Sequence, residues 1–166
     1  AQPPVHSCDI GTAYGNNAIA KTLEDNLSPN NCKHWGWYFE VGSAALSGSG
    51  LTGNLIVGAG GNEVSKGINV GTFSAVLSGT TLTVTYTLKS GYDLGEVHIY
   101  ARCSSPSSCA PGQFGNPSTP PDLSGSTDTS FTTTITVGPC DKYFLIFHAK
   151  INQVLPLTTD CPTPVT

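Results

Sequence analysis

The chain has 166 residues, of which only 11% are charged, and its net charge is −4. Average globular chains carry roughly 25% charged residues, so this surface must stay wet through hydroxyls and amides, and 37 residues are Ser or Thr. No cluster of Lys and Arg exists, which excludes nucleic acid and anionic membrane as partners, since both need concentrated positive charge. No apolar run approaches the roughly 20 residues that span a bilayer, so no membrane span is expected. The length suits one domain burying about two-thirds of its unfolded surface.

Methionine is absent throughout, including position 1. Ala1-Gln2 reads as the residue pair left after signal-peptide removal, which places the chain outside the cell. Cys8, Cys32, Cys103, Cys109, Cys140 and Cys161 form an even set with wide spacings and no C-x-x-C pair of a zinc site. Three disulfides in an oxidising compartment follow. Six cysteines allow 15 connectivities. The pairs expected from proximity are Cys103–Cys109, Cys8–Cys32 and Cys140–Cys161.

Residues 1–8 read as an extended arm, because Pro3 and Pro4 prevent helix and remove two donors. Residues 9–156 read as a single domain and residues 157–166 as a Pro-rich tail. Asn16 to Asn26 is the one helix candidate: Ile19 and Leu23 share a face and Asn17 is a suitable cap. Trp35 to Val41 reads as a strand with Trp35, Trp37 and Phe39 on one face and Tyr38 and Glu40 on the other. Gly42 to Thr52 reads as a linker and Leu55-Ile-Val57 as a short buried strand. Ile68 to Ser78 is a further strand, turned by Ser78-Gly79-Thr80.

The segment from Thr80 to Cys103 carries the clearest pattern. Leu82, Val84, Tyr86 and Leu88 alternate with Thr83, Thr85 and Thr87, giving one apolar and one hydroxyl-lined face. A second strand, Leu94 to Arg102, is expected beside it in the same sheet. Ser104 to Asp128 is the longest irregular stretch. Phe131, Thr133, Ile135 and Val137 then share a face. Tyr143 to Ala149 is apolar on both sides, as a strand covered on both faces must be. The fold expected is all-β: an antiparallel β-sandwich of about seven to nine disulfide-bridged strands with at most one short helix.

Ala13-Tyr-Gly15, His34-Trp-Gly-Trp37, Gly58-Ala-Gly60, Ser65-Lys-Gly67, Val70-Gly-Thr72, Thr83-Val-Thr-Tyr86, Gly91-Tyr-x-Leu-x-Glu-x-His-Ile-Tyr100, Ala110-Pro-Gly-Gln-Phe114 and His148-Ala149 occur in one order. Over residues 13–150 that order resembles a family of secreted all-β modules found in large extracellular bacterial proteins. The resemblance implies fold and compartment, and no active site. The Ser/Thr-rich, sulfur-bridged character with extended ends more loosely resembles glycosylated extracellular fibril proteins from environmental samples.

Candidate chemistry is sparse. Glu96 and His98 share a strand face and His148 is expected on a nearby strand. A carboxylate and two imidazoles suit a divalent metal, but a hydrogen-bonded polar pair beside the core is the plainer reading. Neither a metal nor a cofactor is therefore expected, with Glu96, His98 and His148 the weak metal candidates. Ser49 lacks a Gly-x-Ser-x-Gly elbow, and Asp93 and Glu96 are spaced like acids flanking a turn. Gly58-Ala-Gly-Gly61 lacks the Lys-Ser/Thr of a phosphate loop. Trp35, Trp37, Tyr38, Tyr92 and Tyr100 would make a sugar-stacking platform if exposed, or core if buried. Asn26-Leu-Ser28 is a glycan sequon, and Thr119 and Thr163 lie beside prolines as O-glycosylated threonines do.

The reading that results is a non-enzymatic, secreted structural subunit that assembles head-to-tail with copies of itself into a glycosylated fibril. Strand addition supplies the route: an arm from one copy pairs with an unpaired edge of the next. The arms expected are Ala1 to Ser7 and Leu157 to Thr166, with Pro3, Pro4, Val5 and Val165 as the assembly residues. The alternative is a carbohydrate-binding or adhesion module.

Overall fold

The computed structural model of the protein describes residues 4–23, 35–117 and 129–164. These residues form nine strands: β1 (Val5–Asn16), β2 (Lys21–Thr22), β3 (Trp37–Val41), β4 (Leu51–Val57), β5 (Ile68–Ser78), β6 (Thr81–Leu88), β7 (Tyr92–Arg102), β8 (Ser130–Thr136) and β9 (Tyr143–Pro156). The pairing is antiparallel throughout, along the path β2-β3-β9-β1-β4-β5-β6-β8, with β7 on the other side of β9. Short 3-10 turns lie between the strands, Leu23 is helical where the described residues break off, and no helix among the described residues is long and apolar enough to cross a membrane.

The continuous path folds over at the β1–β4 pairing, so that β5 and β6 lie above β9. Phe73 of β5 stacks on Phe147 of β9 with ring centroids 4.4 Å apart, and Phe39 of β3 closes the group at 5.5 and 5.7 Å. The Tyr86 hydroxyl of β6 donates to the His148 carbonyl of β9 at 3.2 Å. The result is a two-layer sandwich whose core takes one face from each strand. Leu82, Val84, Tyr86 and Leu88 are all buried in it, as their alternation requires. Gly53 and Gly15 allow this closeness: a Cβ at Gly53 would sit 2.6 Å from the Phe73 ring, and one at Gly15 2.9 Å from it. Gly79, at φ +61, opens the two-residue turn that joins Ser78 to Thr81.

β9 has more strand partners than any other described strand. It pairs with β1 and β3 along one side and β7 along the other. Leu145, Phe147, Ala149 and Ile151 enter the main core, while Ile146 lies in a second buried cluster with Tyr14, Leu23, Trp37, Tyr38, Tyr100, Cys109 and Phe114. Coverage on both faces is what its unbroken apolar run implied. Trp37 joins Tyr38 in the second cluster and leaves Phe39 in the main core, so the alternation expected across Trp35–Glu40 holds only from Tyr38 onward.

Several expectations are corrected. β6 and β7 are not neighbours in the sheet: β6 pairs with β5 and β8, and β7 with β9. Their buried faces are both apolar because each enters the main core from its own part of the sheet. The helix expected over Asn16–Asn26 does not form over residues 16–22, where β1 ends, a turn follows and Lys21–Thr22 pair with β3. Leu23 is helical, and the remainder from residue 24 lies outside the described residues. The stretch read as a linker, Gly42 to Thr52, contains a 3-10 turn whose Leu46 is fully buried, and Leu51 already begins β4.

The cysteine pairs are also different. Cys8 joins Cys161 and Cys103 joins Cys140. Cys109 is disulfide-bonded as well, but not to Cys103, and Cys32 lies outside the described residues. Pairing by sequence proximity failed because β1 and β9 run antiparallel from Val5 opposite Pro156 to Tyr14 opposite His148, which brings the two ends of the chain together. For the same reason the arm expected over residues 1–8 is not an arm from Val5 onward: Val5 to Cys8 are already strand.

Candidate functional site

The polar residues singled out in the sequence meet on the face of β9 turned away from the main core. His98 of β7, His148 of β9 and Tyr14 of β1 are direct cross-strand neighbours. The two imidazole rings are 5.6 Å apart, the Tyr14 ring packs edge-on against His148 at 4.8 Å, and Phe114 approaches at 6.4 Å. His98 Nε2 contacts Glu96 Oε2 at 3.1 Å. Phe114 arrives from the loop after β7, whose backbone is pinned where the Ile99 N–H donates to the Asn116 carbonyl at 2.6 Å.

The environment of the two imidazoles sets their protonation. His148 is buried, and its Nδ1 has no hydrogen-bond partner. Burial first, and the neighbouring His98 second, push its pKa down from 6.5 to about 3. Burial likewise pushes the Tyr14 hydroxyl up to about 12. Both groups are neutral packing residues at physiological pH. Among the described residues, the group of three His, Cys, Asp or Glu side chains whose donor atoms lie within 4.8 Å of one another is His6, Cys8 and Cys161. Its two sulfurs are joined in a disulfide, so neither is a thiolate ligand. Glu96, His98 and His148 form no such group.

A consequence of the buried imidazole can be measured. Above pH 6.5 His148 is neutral in both the native and unfolded chain. Below that value the unfolded chain takes up a proton that the native site refuses until about pH 3. The stability His148 contributes is therefore complete above pH 6.5 and is lost as pH falls toward 3, by about 2 kcal/mol on going from pH 7.5 to pH 5. Urea midpoints at those two pH values should fall further apart for the native protein than for His148→Leu. Equal separations would show that the imidazole is not held neutral.

One end of the same face carries a second polar group. Asp93 is buried, its Oδ2 accepts the Ser7 hydroxyl at 2.7 Å, and its Oδ1 is unpartnered. Asp9 takes the Gly11 N–H on one oxygen and lies 3.5 Å from Lys150 Nζ on the other. The Ser7 hydroxyl hydrogen-bonds the Asp93 carboxylate directly. His6 turns instead toward the Thr159 carbonyl at 2.8 Å. Asp93 is thus a buried tether between β7 and β1, a role its sequence neighbours did not signal. An open surface depression of about 330 Å³ lies elsewhere, lined by Asn17, Ala18, Ile19, Gly50, Leu51 and Thr52, none of them ionisable.

The aromatic residues do not gather on the surface. Trp37, Tyr38 and Tyr100 are buried, and Trp35 and Tyr92 are half-buried. Trp35 is engaged edge-on with Tyr14 at 5.1 Å and Trp37 at 5.8 Å. Of the glycan candidates, Thr163 is exposed, and Asn26 and Thr119 lie outside the described residues. Of the assembly candidates, Pro4 and Val5 are exposed, with Val5 in β1 opposite Pro156. Pro3 and Val165 lie outside the described residues. Leu157 donates its N–H to the Pro4 carbonyl at 3.1 Å, so Val5 and Leu157, each 55% exposed, make an apolar end where β1 meets β9.

The surface feature that sequence reading did not signal is that β8, itself legible from its alternation, lies at an edge of the sheet. Among the described residues its one strand partner is β6, in unbroken register from Thr81 opposite Thr136 to Thr87 opposite Ser130. The Thr129 carbonyl accepts the Leu88 N–H and the Val137 N–H donates to Thr80. Odd-numbered residues therefore address β6, and the backbone groups of Ser130, Thr132, Thr134 and Thr136 face outward. From Thr129 to Gly138 there is no charge and no proline. Native edges are usually blunted by lysine, proline or a bulge, and β8 has none of these. The Thr132 and Thr85 hydroxyls bond across the β6–β8 pair at 3.1 Å. The other long edge strand, β7, is capped at its middle by the Ile99–Asn116 bridge.

No protein-family model, curated protein or solved structure matches this chain.

Proposed function

We propose that the protein is a secreted structural subunit that joins copies of itself into a glycosylated extracellular fibril. The observation that carries this reading is the uncharged, bulge-free edge of β8, unpaired among the described residues, a row of backbone donors and acceptors suited to another strand. A fibre needs a second contact, and the apolar end made by Val5 and Leu157 supplies one. The disulfides suit an oxidising compartment, and exposed threonines such as Thr163 offer attachment points for sugar that would keep a low-charge fibre in solution.

The arms contribute less than their composition promised. Val5 to Ser7 are used by β1, and the tail is anchored at Cys161 by its bond to Cys8. Exchange between copies falls to the sheet edge more than to the termini.

Electron micrographs of the native material should show filaments of constant width. The intact mass should exceed that of the bare chain by sugar-sized increments. Discrete, unglycosylated monomers at high concentration would overturn the reading.

A further inference from the structure

We infer that two copies of this chain join through β8, antiparallel about a two-fold axis at Thr133, to make one sheet that runs through both molecules. The inference rests on the self-assembly reading and gives it a contact and a register.

The strand is complementary to itself. Its sequence, Ser130-Phe-Thr-Thr-Thr-Ile-Thr136, places hydroxyl and apolar residues symmetrically about Thr133. Pairing two copies with Thr133 opposite Thr133 sets Thr132 against Thr134 and Ser130 against Thr136. Those are the residues whose backbone N–H and C=O face outward, so each pair exchanges both its N–H···O bonds. The intervening pairs, Phe131 with Ile135 and Thr133 with itself, are the non-hydrogen-bonded positions where side chains approach most closely. Phe131 is only half-buried in the isolated chain, and apolar Ile135 of the second copy would lie beside it. A register shifted by one residue loses the hydrogen bonds and sets buried faces against exposed ones. A shift of two residues leaves one outward-facing residue at each end without a partner inside β8.

The second copy is favoured as occupant over an unrelated strand by this symmetry and by the absence of charge. No side chain on the edge selects a charged partner, and none repels an identical strand. A two-fold contact closes on itself, so a fibre grows only by alternating it with a second contact. The head-to-tail arrangement expected from the arms would then give way to alternating contacts.

Cysteine cross-linking tests the register. The Thr133→Cys protein carries one thiol beyond the native set, and across a non-hydrogen-bonded pair the two Cα atoms lie about 4.5 Å apart, within disulfide range. Under mild oxidation it should run as a covalent dimer on a non-reducing gel. Ser130→Cys should not, because its counterpart is Thr136 of the other copy. Equal cross-linking of the two variants, or none of Thr133→Cys, would overturn the inference. A charge pair tests the contact without thiols. Thr132→Lys with Thr134→Lys sets lysine against lysine and should give a monomer by light scattering. Thr132→Lys with Thr134→Glu sets opposite charges together and should restore the dimer. If filaments persist unchanged in the double-lysine protein, the β8 contact is wrong while the fibre reading stands. If dimers form but never filaments, the fibre reading fails and this contact stands.

Discussion

Phe147→Ala is expected to cost about 3–5 kcal/mol of native stability, toward the upper end of that range. The ring is fully buried and lies flat on Phe73, 4.4 Å away and 22° from parallel, with Phe39 tilted against it at 5.7 Å. Truncation removes the burial of the ring and leaves a cavity whose cost depends on how far the surroundings can collapse. Here they are held by backbone. β9 is paired on both sides, and the Gly15 and Gly53 backbones already press on the Phe73 ring. Phe114→Ala provides the comparison. Phe114 is as completely buried, but it descends from a loop onto the outer face of β9, and a loop can settle into the space. Urea denaturation with the disulfides intact should rank Phe147→Ala clearly below Phe114→Ala. The reverse order would mean that the junction between the layers is not the rigid part of the molecule.

The second large effect is expected from the Cys8–Cys161 bridge. The two residues are 153 apart in sequence, against 37 for Cys103–Cys140. In the chain-entropy treatment, closing the longer loop restricts the unfolded ensemble by about 5 kcal/mol and the shorter by about 4 kcal/mol. Replacing Cys8 and Cys161 together by alanine should therefore lower stability by more than replacing Cys103 and Cys140. The β1–β9 ladder also stops close to the bridge, at Val5 opposite Pro156, so its last pairs should fray in the first variant. Hydrogen exchange of the amides at that end reads the fraying, and paired denaturation curves read the stability. A loss under about 1 kcal/mol for Cys8→Ala with Cys161→Ala would show that the ladder alone holds the ends together.

Much of the local structure is legible in the sequence. The period-two alternation of Leu82, Val84, Tyr86 and Leu88 assigns their faces, because a strand offers a side chain only two directions. Tyr143 to Ala149 was legible as a doubly covered strand for the same reason. What the sequence concealed is long-range. Glu96 and His98 were correctly paired from their spacing, and His98 does face His148. Their chemistry was not legible, because the pKa of His148 depends on the packing of Tyr14 and Phe114 around it. Asp93 is comparable: it looked like a turn acid, and it is a buried tether to Ser7, 86 residues away in sequence.

By itself the sequence determined that this chain is all-β, uncharged over most of its surface and bridged by disulfides. Those properties follow from side-chain periodicity, composition and cysteine count, which act locally or in bulk. Tertiary structure alone decided that β6 and β7 enter one core without pairing, that Cys8 meets Cys161, and that among the described residues β8 is paired on one side only. These depend on which strands meet, and strand pairing is settled by the joint burial of residues far apart along the chain, where a residue's own neighbours carry no information.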